Sequence, residues 1–206
     1  MEKPVTGDAR TVKLTERPDF GVIGEIIQSG SRVLDLGCGE GELLAWLLAN
    51  KNIVARGVEI AAPKVRKAIA RGVSAYQGDL DEGLADYPDH AFDYVILSQT
   101  LQETKAPLHV LREMLRVGKR AIVSFPNFGH WSVRKAMLLT GQAPKTKLFP
   151  YDWYNSPNIH FLSINDFEEL CTDAGLPISK RYFLSGPARV STMPNLLAQT
   201  AVFLLG

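Results

Sequence analysis

Three glycines on alternate positions follow a short apolar run near the start of the chain. Gly37, Gly39 and Gly41 come directly after residues 33–36, a run whose third residue is the acid Asp35. Glycine has no Cβ, so the backbone at such positions can take positive φ and approach a ligand closely. The next residues predict an amphipathic helix, whose N-terminus would present free N–H groups. This pattern is typical of the cofactor loop at the first strand-to-helix turn of a doubly wound sheet.

The spacing of this loop distinguishes between nucleotide cofactors. A dinucleotide fingerprint has its third glycine one position later, where this chain carries the bulky Glu42. Asp35 would repel a pyrophosphate, whereas it suits a cofactor with a cationic amino-acid end, such as S-adenosylmethionine. Glu59 ends the next apolar run, at the position where an acid binds ribose hydroxyls in folds of this kind. The sequence therefore favours S-adenosylmethionine over a nicotinamide dinucleotide.

The elements that must position these residues alternate between strands and helices. Apolar runs predict strands at residues 32–36, 54–59, 73–77, 92–98, 120–125, 178–184 and 200–205. Helices are expected after Pro18, Pro63 and Pro107, after the glycine loop, and after a capping box that begins at Ser163. The first five strands imply a parallel sheet, and the last two a hairpin. We predict a doubly wound α/β fold with a mostly parallel seven-stranded sheet and one antiparallel strand.

Length and composition restrict the class of protein. The 206 residues are 46% hydrophobic and 22% charged, which is ordinary for one globular domain, expected over residues 18–206 behind a polar N-terminal segment at 1–17. A net charge of +1 argues against a broad nucleic-acid or membrane surface. Cys38 and Cys171 lie far apart, which favours a reducing, cytoplasmic setting. No run approaches the ~18 apolar residues that a membrane span needs.

Five blocks carry a more particular pattern, at residues 33–39, 76–81, 94–102, 124–131 and 157–161. Together they resemble the MetW family of methionine-biosynthesis proteins, within the class I S-adenosylmethionine-dependent methyltransferase superfamily. The glycine-loop block is shared by many methyltransferases. The blocks at 98–102 and 125–131 are far more particular and carry the resemblance to MetW.

The resemblance implies two different functions. MetW-like proteins accompany a MetX-type homoserine O-acyltransferase and are thought to support it, so an accessory protein that binds S-adenosylmethionine or S-adenosylhomocysteine is expected. The alternative is an active methyltransferase that acts on a small amino-acid-like or carboxylate acceptor.

The resemblance also implies a set of cofactor-binding residues at the ends of successive strands, namely Asp35, Gly37, Cys38, Gly39, Glu59, Asp79, Leu80, Ser98 and Gln99. Glu59 would accept the ribose hydroxyls. Asp79 and the backbone of Leu80 would read the adenine, and Ser98 and Gln99 would face the sulfonium. The glycines would run under the cofactor, with Asp35 near its amino group and Cys38 as a small residue in a tight loop.

A general base and a methyl acceptor are less clearly marked. His130 follows the fifth strand beside Trp131 and is the candidate base, with His160 and His109 as alternatives. Each could instead fasten a loop or lie on a helix surface. No Asn/Asp-Pro-Pro-aromatic tetrad follows the fourth strand and no Pro-Cys pair occurs, which disfavours methylation of nucleic-acid bases. No metal site is expected.

The segment at residues 126–161 is the most individual part of the chain. It mixes aromatic, histidine and basic residues, namely Phe128, His130, Trp131, Arg134, Lys135, Lys145, Lys147, Phe149, Tyr151, Trp153, Tyr154 and His160. Aromatic and Arg side chains favour protein interfaces, and such a mixture also binds single-stranded nucleic acid. We expect protein docking or a cover for the active site first, packing on the sheet edge second and nucleic acid last.

Overall fold

The computed structural model describes residues 17–82 and 84–206. The polar segment predicted at 1–17 therefore lies outside the described residues, except for Arg17, and the division at that point stays a prediction. The strands are β1 (Arg32–Leu36), β2 (Val54–Glu59), β3 (Ala75–Gln77), β4 (Phe92–Ser98), β5 (Gly118–Pro126), β6 (Ile178–Ser185), β7 (Ala188–Arg189) and β8 (Thr200–Leu205). The helices are α1 (Pro18–Ile26), α2 (Glu42–Asn50), α3 (Ala62–Ala70), α4 (Pro107–Val117), α5 (Trp131–Thr140), α6 (Ile164–Asp173) and α7 (Pro194–Leu197).

All eight strands form one sheet in the order β3-β2-β1-β4-β5-β8-β6-β7. β1 to β5 run parallel, and β8 lies antiparallel between β5 and β6. The predicted mostly parallel α/β fold with an antiparallel region is confirmed. The sheet has one strand more than the seven predicted, because the two-residue β7 pairs antiparallel with the end of β6. A two-residue strand carries no alternation that a sequence pattern could reveal.

The sheet has a separate apolar core on each face, because successive strand residues point to opposite sides. On one face, Leu34 and Leu36 of β1 belong to a core that includes buried side chains of α4 and α6. On the other face, Val33 joins a core with buried side chains of α1 and α2. Asp35 shares the face of Val33, so its carboxylate lies on the side that α1 and α2 cover.

Two local predictions have clear outcomes. Ser163 caps α6 as expected, since its hydroxyl accepts the N–H of Asp166 and the Asp166 carboxylate accepts the N–H of Ser163. The helix α5, by contrast, was not predicted within the segment 126–161. Of its ten residues only Val133 is fully buried, so it lacks the apolar stripe from which helices are recognised.

Over the described residues, no helix is both long enough and apolar enough to cross a membrane.

Candidate functional site

A cleft lies at the carboxyl ends of β1, β2 and β4, where parallel α/β sheets bind their ligands. It has two lobes of about 290 and 330 Å³. Both lobes are lined by Arg17, Gly37, Gly39, Lys64 and Ser98, so they form one continuous site. Asp35 and Cys38 line the first lobe only. The second lobe is lined by the ends of β2, β3 and β4, and it therefore collects the remaining predicted residues.

The glycine loop has the open, left-handed backbone that the sequence predicted. Gly39 has φ of +57°, and a Cβ at this position would meet nothing within 4 Å, so the cleft reaches the backbone itself. Gly41 has φ of +77° and precedes α2 directly. A Cβ on Gly41 would lie 2.9 Å from the Cβ of Ala68, so only glycine lets the loop pack this closely against α3.

Asp35 is buried without a partner for one of its oxygens. The side chain is 2% exposed, and its Oδ1 accepts no hydrogen bond from any residue that the structure describes. Burial raises the pKa of this carboxyl to about 8, although the nearby Arg17 opposes the shift. An unsatisfied buried acceptor costs free energy, and such atoms in native proteins call for a functional explanation. A cationic ligand in the first lobe would satisfy it.

Glu59 is buried at the end of β2 and fastens two loops. Its Oε2 accepts the N–H of Gly39 at 3.0 Å and its Oε1 accepts the N–H of Ala61 at 2.9 Å. A carboxylate has about four lone-pair positions, so each oxygen can still accept a hydroxyl. The arrangement therefore fits a ribose diol, which would donate one hydroxyl to each oxygen.

The rest of the second lobe comes from the segments after β3 and β4. Asp79, Leu80 and Gln99 all line it. Gln99 has φ of +57°, a strained value for a residue with a side chain, and such strain clusters at functional sites. Glu103 also lines this lobe and was not predicted as a site residue. Burial raises the pKa of its carboxyl above the ordinary value.

A buried polar network at one wall of the cleft was not foreseen from the sequence. Asp19 of α1 is 1% exposed and accepts bonds from Arg17 at 3.0 and 3.1 Å. It also accepts the hydroxyls of Ser98, at 2.7 Å, and of Ser124, at 3.0 Å. Arg17 in turn donates to Ser98 at 2.7 Å. Ser98 thus lines the cleft as predicted, with its hydroxyl held by a carboxylate and a guanidinium.

The predicted base and the loop cysteine have other local roles. His130 does not line either lobe; its Nδ1 accepts the N–H of Ser132 at 3.3 Å and caps α5. Burial lowers the pKa of its imidazole. His90, His109 and His160 likewise line neither lobe, so no histidine of the described residues faces the cleft. A catalytic role for His130 stays a prediction that this geometry does not favour. Burial raises the pKa of Cys38 to about 12, so its thiol stays protonated.

These features together fit S-adenosylmethionine. The unpartnered Oδ1 of Asp35 could bind its cationic end, the open backbone at Gly39 could lie beneath it, and Glu59 could hold its ribose. When bound, this group supplies an electrophilic methyl on a sulfonium. Within residues 17–82 and 84–206, no cluster of three or more His, Cys, Asp or Glu side chains could hold a metal ion.

Comparison with solved structures shows the class of fold. A methyltransferase structure from Archaeoglobus fulgidus, described as S-adenosylmethionine-dependent, superimposes with a TM-score of 0.67 at 16% identity, over 93% of this chain and 92% of that one. A structure of the Haloferax volcanii Trm112 methyltransferase activator in complex with a putative methyltransferase gives 0.66 at 17% identity, over 96% and 93%. The fold is therefore that of the class I S-adenosylmethionine-dependent methyltransferases.

Comparison of sequences shows the family. The model of the family "Methionine biosynthesis protein MetW" matches residues 17–205. The bifunctional methionine biosynthesis protein MetXA/MetW of Rhodopirellula baltica is 38% identical over 202 residues, which cover 92% of this chain. The chain belongs to the MetW family, which supports a role in methionine biosynthesis. It spans about a third of the length of the Rhodopirellula relative, 32%.

Proposed function

We propose that this protein is an accessory protein of methionine biosynthesis. It binds S-adenosylmethionine or S-adenosylhomocysteine in the cleft and supports a MetX-type homoserine O-acyltransferase in the cytoplasm. The relative from Rhodopirellula baltica carries the proposal, since its name assigns both MetXA and MetW to one chain. Joining two modules raises their effective concentration, which is an advantage when the two act together.

The chemistry of the cleft supports the choice of ligand. S-adenosylmethionine carries an ammonium and a sulfonium beside one carboxylate on its amino-acid half, and the first lobe offers Asp35 with one buried oxygen lacking a donor. Its ribose diol matches the two oxygens of Glu59, each of which already accepts one backbone N–H. A dinucleotide would bring a pyrophosphate to the same place, beside the buried Glu59, and an anion there would oppose the ionisation of Asp35 that a cation favours. Charge therefore favours the sulfonium cofactor.

Two direct binding measurements test the proposal. In calorimetry, S-adenosylmethionine and S-adenosylhomocysteine are titrated into the full chain, with NAD⁺ as the control ligand. In size-exclusion chromatography, the chain is mixed with the homoserine O-acyltransferase of its own host. Saturable binding of either sulfur ligand and co-elution with the acyltransferase are expected. Absence of both would contradict the proposal, and a preference for NAD⁺ would overturn the assignment of the cleft.

A second candidate function is methyl transfer to a small carboxylate or amino-acid-like acceptor. The observation that favours it is the pair of basic residues, Arg17 and Lys64, that line both lobes of the cleft. Either could bind the carboxylate of an acceptor, and an aligned acceptor supplies much of the rate enhancement. Formation of S-adenosylhomocysteine with homoserine or its O-acyl esters as acceptor would support this function. A rate equal to that without acceptor would exclude these acceptors.

A further inference from the structure

The exposed apolar side chains of this protein are concentrated in one segment. Among the residues that the structure describes, more than half of the exposed large hydrophobic side chains lie within residues 131–161. They are Trp131, Met137, Leu138, Leu139, Tyr151, Trp153, Tyr154, Ile159 and Phe161. We call this set the 131–161 surface. Single exposed apolar residues are normal on a soluble protein, whereas nine of them within 31 consecutive residues point to an interaction site.

The helix α5 contributes the first part of this surface and has little contact with the rest of the fold. Val133 is its one fully buried residue. Leu138 is 85% exposed and lies seven residues after Trp131, so these two exposed side chains share a helix face. A helix of ten residues is marginal in water by itself, and most helical stability comes from burying one face. The exposed face of α5 therefore presents large apolar side chains beside Arg134 and Lys135, and it has no partner among the described residues.

The segment after α5 contributes the second part of the surface, and an aromatic cluster supports it. Phe128, Phe149 and Phe161 form an aromatic cluster with ring centroids 4.7 to 6.5 Å apart. The cluster supports a segment in which Trp153, 78% exposed, packs edge-on against Tyr154 at 5.7 Å. Tryptophan and tyrosine are the residues that most often dominate binding at protein interfaces. The contacts of the aromatic cluster restrain this segment, and such restraint lowers the conformational entropy that docking costs.

The same segment is bonded to a residue beside the cleft. The N–H groups of Ile159 and His160 both donate to the backbone carbonyl of Gln102, at 2.9 and 3.0 Å. Gln102 is buried, and its side-chain amide donates to the carbonyl of Gln99 at 2.7 Å. Gln99 lines the second lobe of the cleft. A partner on the 131–161 surface would therefore lie two hydrogen bonds away from the cofactor site.

From these observations we infer that the 131–161 surface is the docking surface for homoserine O-acyltransferase; this inference rests on the proposed function. The Rhodopirellula relative aligns with 92% of this chain, and its name places a MetXA part in the same polypeptide. That part therefore supplies a protein surface next to this domain. Lys135 and Lys147 form no ion pair with any described residue, so they are available to acidic groups at the edge of the partner.

The composition of the surface argues against the other occupants. A nucleic-acid surface would carry many unpaired basic side chains, whereas residues 131–161 carry four Lys or Arg, of which Lys145 is paired with Asp152 at 2.9 Å. A second copy of this chain would bring an equally basic segment to the interface, and like charges across an interface cost free energy.

The experiment measures the affinity of the full chain for the acyltransferase of its own host. The variants are Leu138→Ser on α5 and Trp153→Ser on the following segment, each changing one highly exposed side chain. Ile69→Ser, on the exposed face of α3, is the matched control, since Ile69 is 55% exposed and lies outside the segment. We expect Trp153→Ser to raise the Kd at least about tenfold and Leu138→Ser at least about threefold. The control and the affinity for S-adenosylmethionine should stay unchanged.

The outcomes separate this inference from the proposed function. If the wild-type chain binds the acyltransferase and both variants bind equally well, the docking surface is wrong and the proposed function stands. If the wild-type chain does not bind at all, the proposed function fails and takes the docking surface with it. If the variants lose self-association or binding to an oligonucleotide but keep the acyltransferase affinity, the surface has one of the other occupants and the inference is overturned.

Discussion

The backbone N–H of Gly39 lies 3.0 Å from Oε2 of Glu59, so the glycine loop after β1 is fastened to the end of β2. The second oxygen of the same carboxylate holds the N–H of Ala61, where α3 is about to begin. One side chain therefore sets the distance between two loops that enclose the cleft. It also presents the remaining lone pairs of both oxygens to any ligand there.

Glu59→Ala should weaken binding of S-adenosylmethionine at least about tenfold. The variant removes a charged acceptor worth roughly 1.5–3 kcal/mol in its hydrogen bonds, and it also releases the N–H of Gly39. Calorimetry on the folded variant measures the change. Glu169→Ala, an exposed position on α6, is the control and should bind like the wild type. Unchanged affinity in Glu59→Ala would remove the assignment of Glu59 to the ribose.

The ionisation of Asp35 should make stability depend on pH. Its pKa is raised from 3.8 to about 8 in the folded protein, so between these values the folded state holds a proton that the unfolded chain releases. The free energy of unfolding therefore falls as pH rises through this window, and levels off above pH 8. Asp35→Asn cannot ionise, so its stability relative to the wild type should increase with pH. Urea unfolding at pH 5, 6.5 and 8 measures this difference; a constant difference would contradict the burial argument.

The ionisation of Asp35 also tests where the cationic end of the ligand binds. A cationic group beside Asp35 favours its ionised form, so binding of S-adenosylmethionine at pH 7 should release a proton. Calorimetry in phosphate and in Tris, whose ionisation enthalpies differ, detects the released proton as a difference in apparent enthalpy. Asp35→Asn should bind with equal apparent enthalpy in the two buffers. Equal enthalpies in the wild type would contradict the placement of the cationic end at Asp35.

Asp19→Asn should destabilise the fold by about 1–3 kcal/mol, because Asp19 is the acceptor at the centre of a buried network. Arg17, Ser98 and Ser124 all donate to its carboxylate. The neutral amide removes the ion pair with Arg17. Its NH₂ group also places a hydrogen-bond donor where the Asp19 carboxylate accepts hydrogen bonds. Asp86→Asn, at an exposed position, is the control and should stay within about 0.5 kcal/mol of the wild type. Equal urea midpoints for the two variants would show that the network does not stabilise the fold.

Gln102→Ala should uncouple the two binding sites while leaving both intact. The backbone carbonyl that holds Ile159 and His160 remains, but the bond from the side chain to Gln99 is lost. In the wild type, we expect saturating S-adenosylmethionine to change the Kd for the acyltransferase at least about fivefold. In the variant this ratio should fall toward one. An unchanged ratio in Gln102→Ala would show that coupling does not pass through this side chain.

The parts of the fold that the sequence predicted are those with a local pattern. β4 was predicted at its observed bounds because residues 92–98, apart from Asp93 and Ser98, are apolar and lie between turn signals. The capping box at Ser163 is equally local, since its two partners are three residues apart. The predicted third strand was longer than β3, since Val73 is apolar but does not pair with β2. In these regions the structure is determined by residues that are close together in the sequence.

The parts that the sequence could not predict depend on distant contacts. Asp19 and Ser124 are separated by 105 positions, and only the packing of α1 against the sheet brings them together. The sequence pattern predicted Ser98 as a site residue, but nothing in it indicated that the Asp19 carboxylate accepts the hydroxyl of Ser98. α5 was missed for the opposite reason: its apolar residues face solvent, so they do not follow the pattern of a helix packed on this fold. Both misses fall at the cleft wall or on the 131–161 surface.

The most direct test of the central proposal is the initial rate of the host's own homoserine O-acyltransferase, measured with and without an equimolar amount of this protein. Bovine serum albumin at the same concentration controls for non-specific stabilisation. We expect a clear rise in rate that Trp153→Ser reduces and Ile69→Ser does not. An unchanged rate, at concentrations that would saturate the acyltransferase with this protein, would contradict the accessory function.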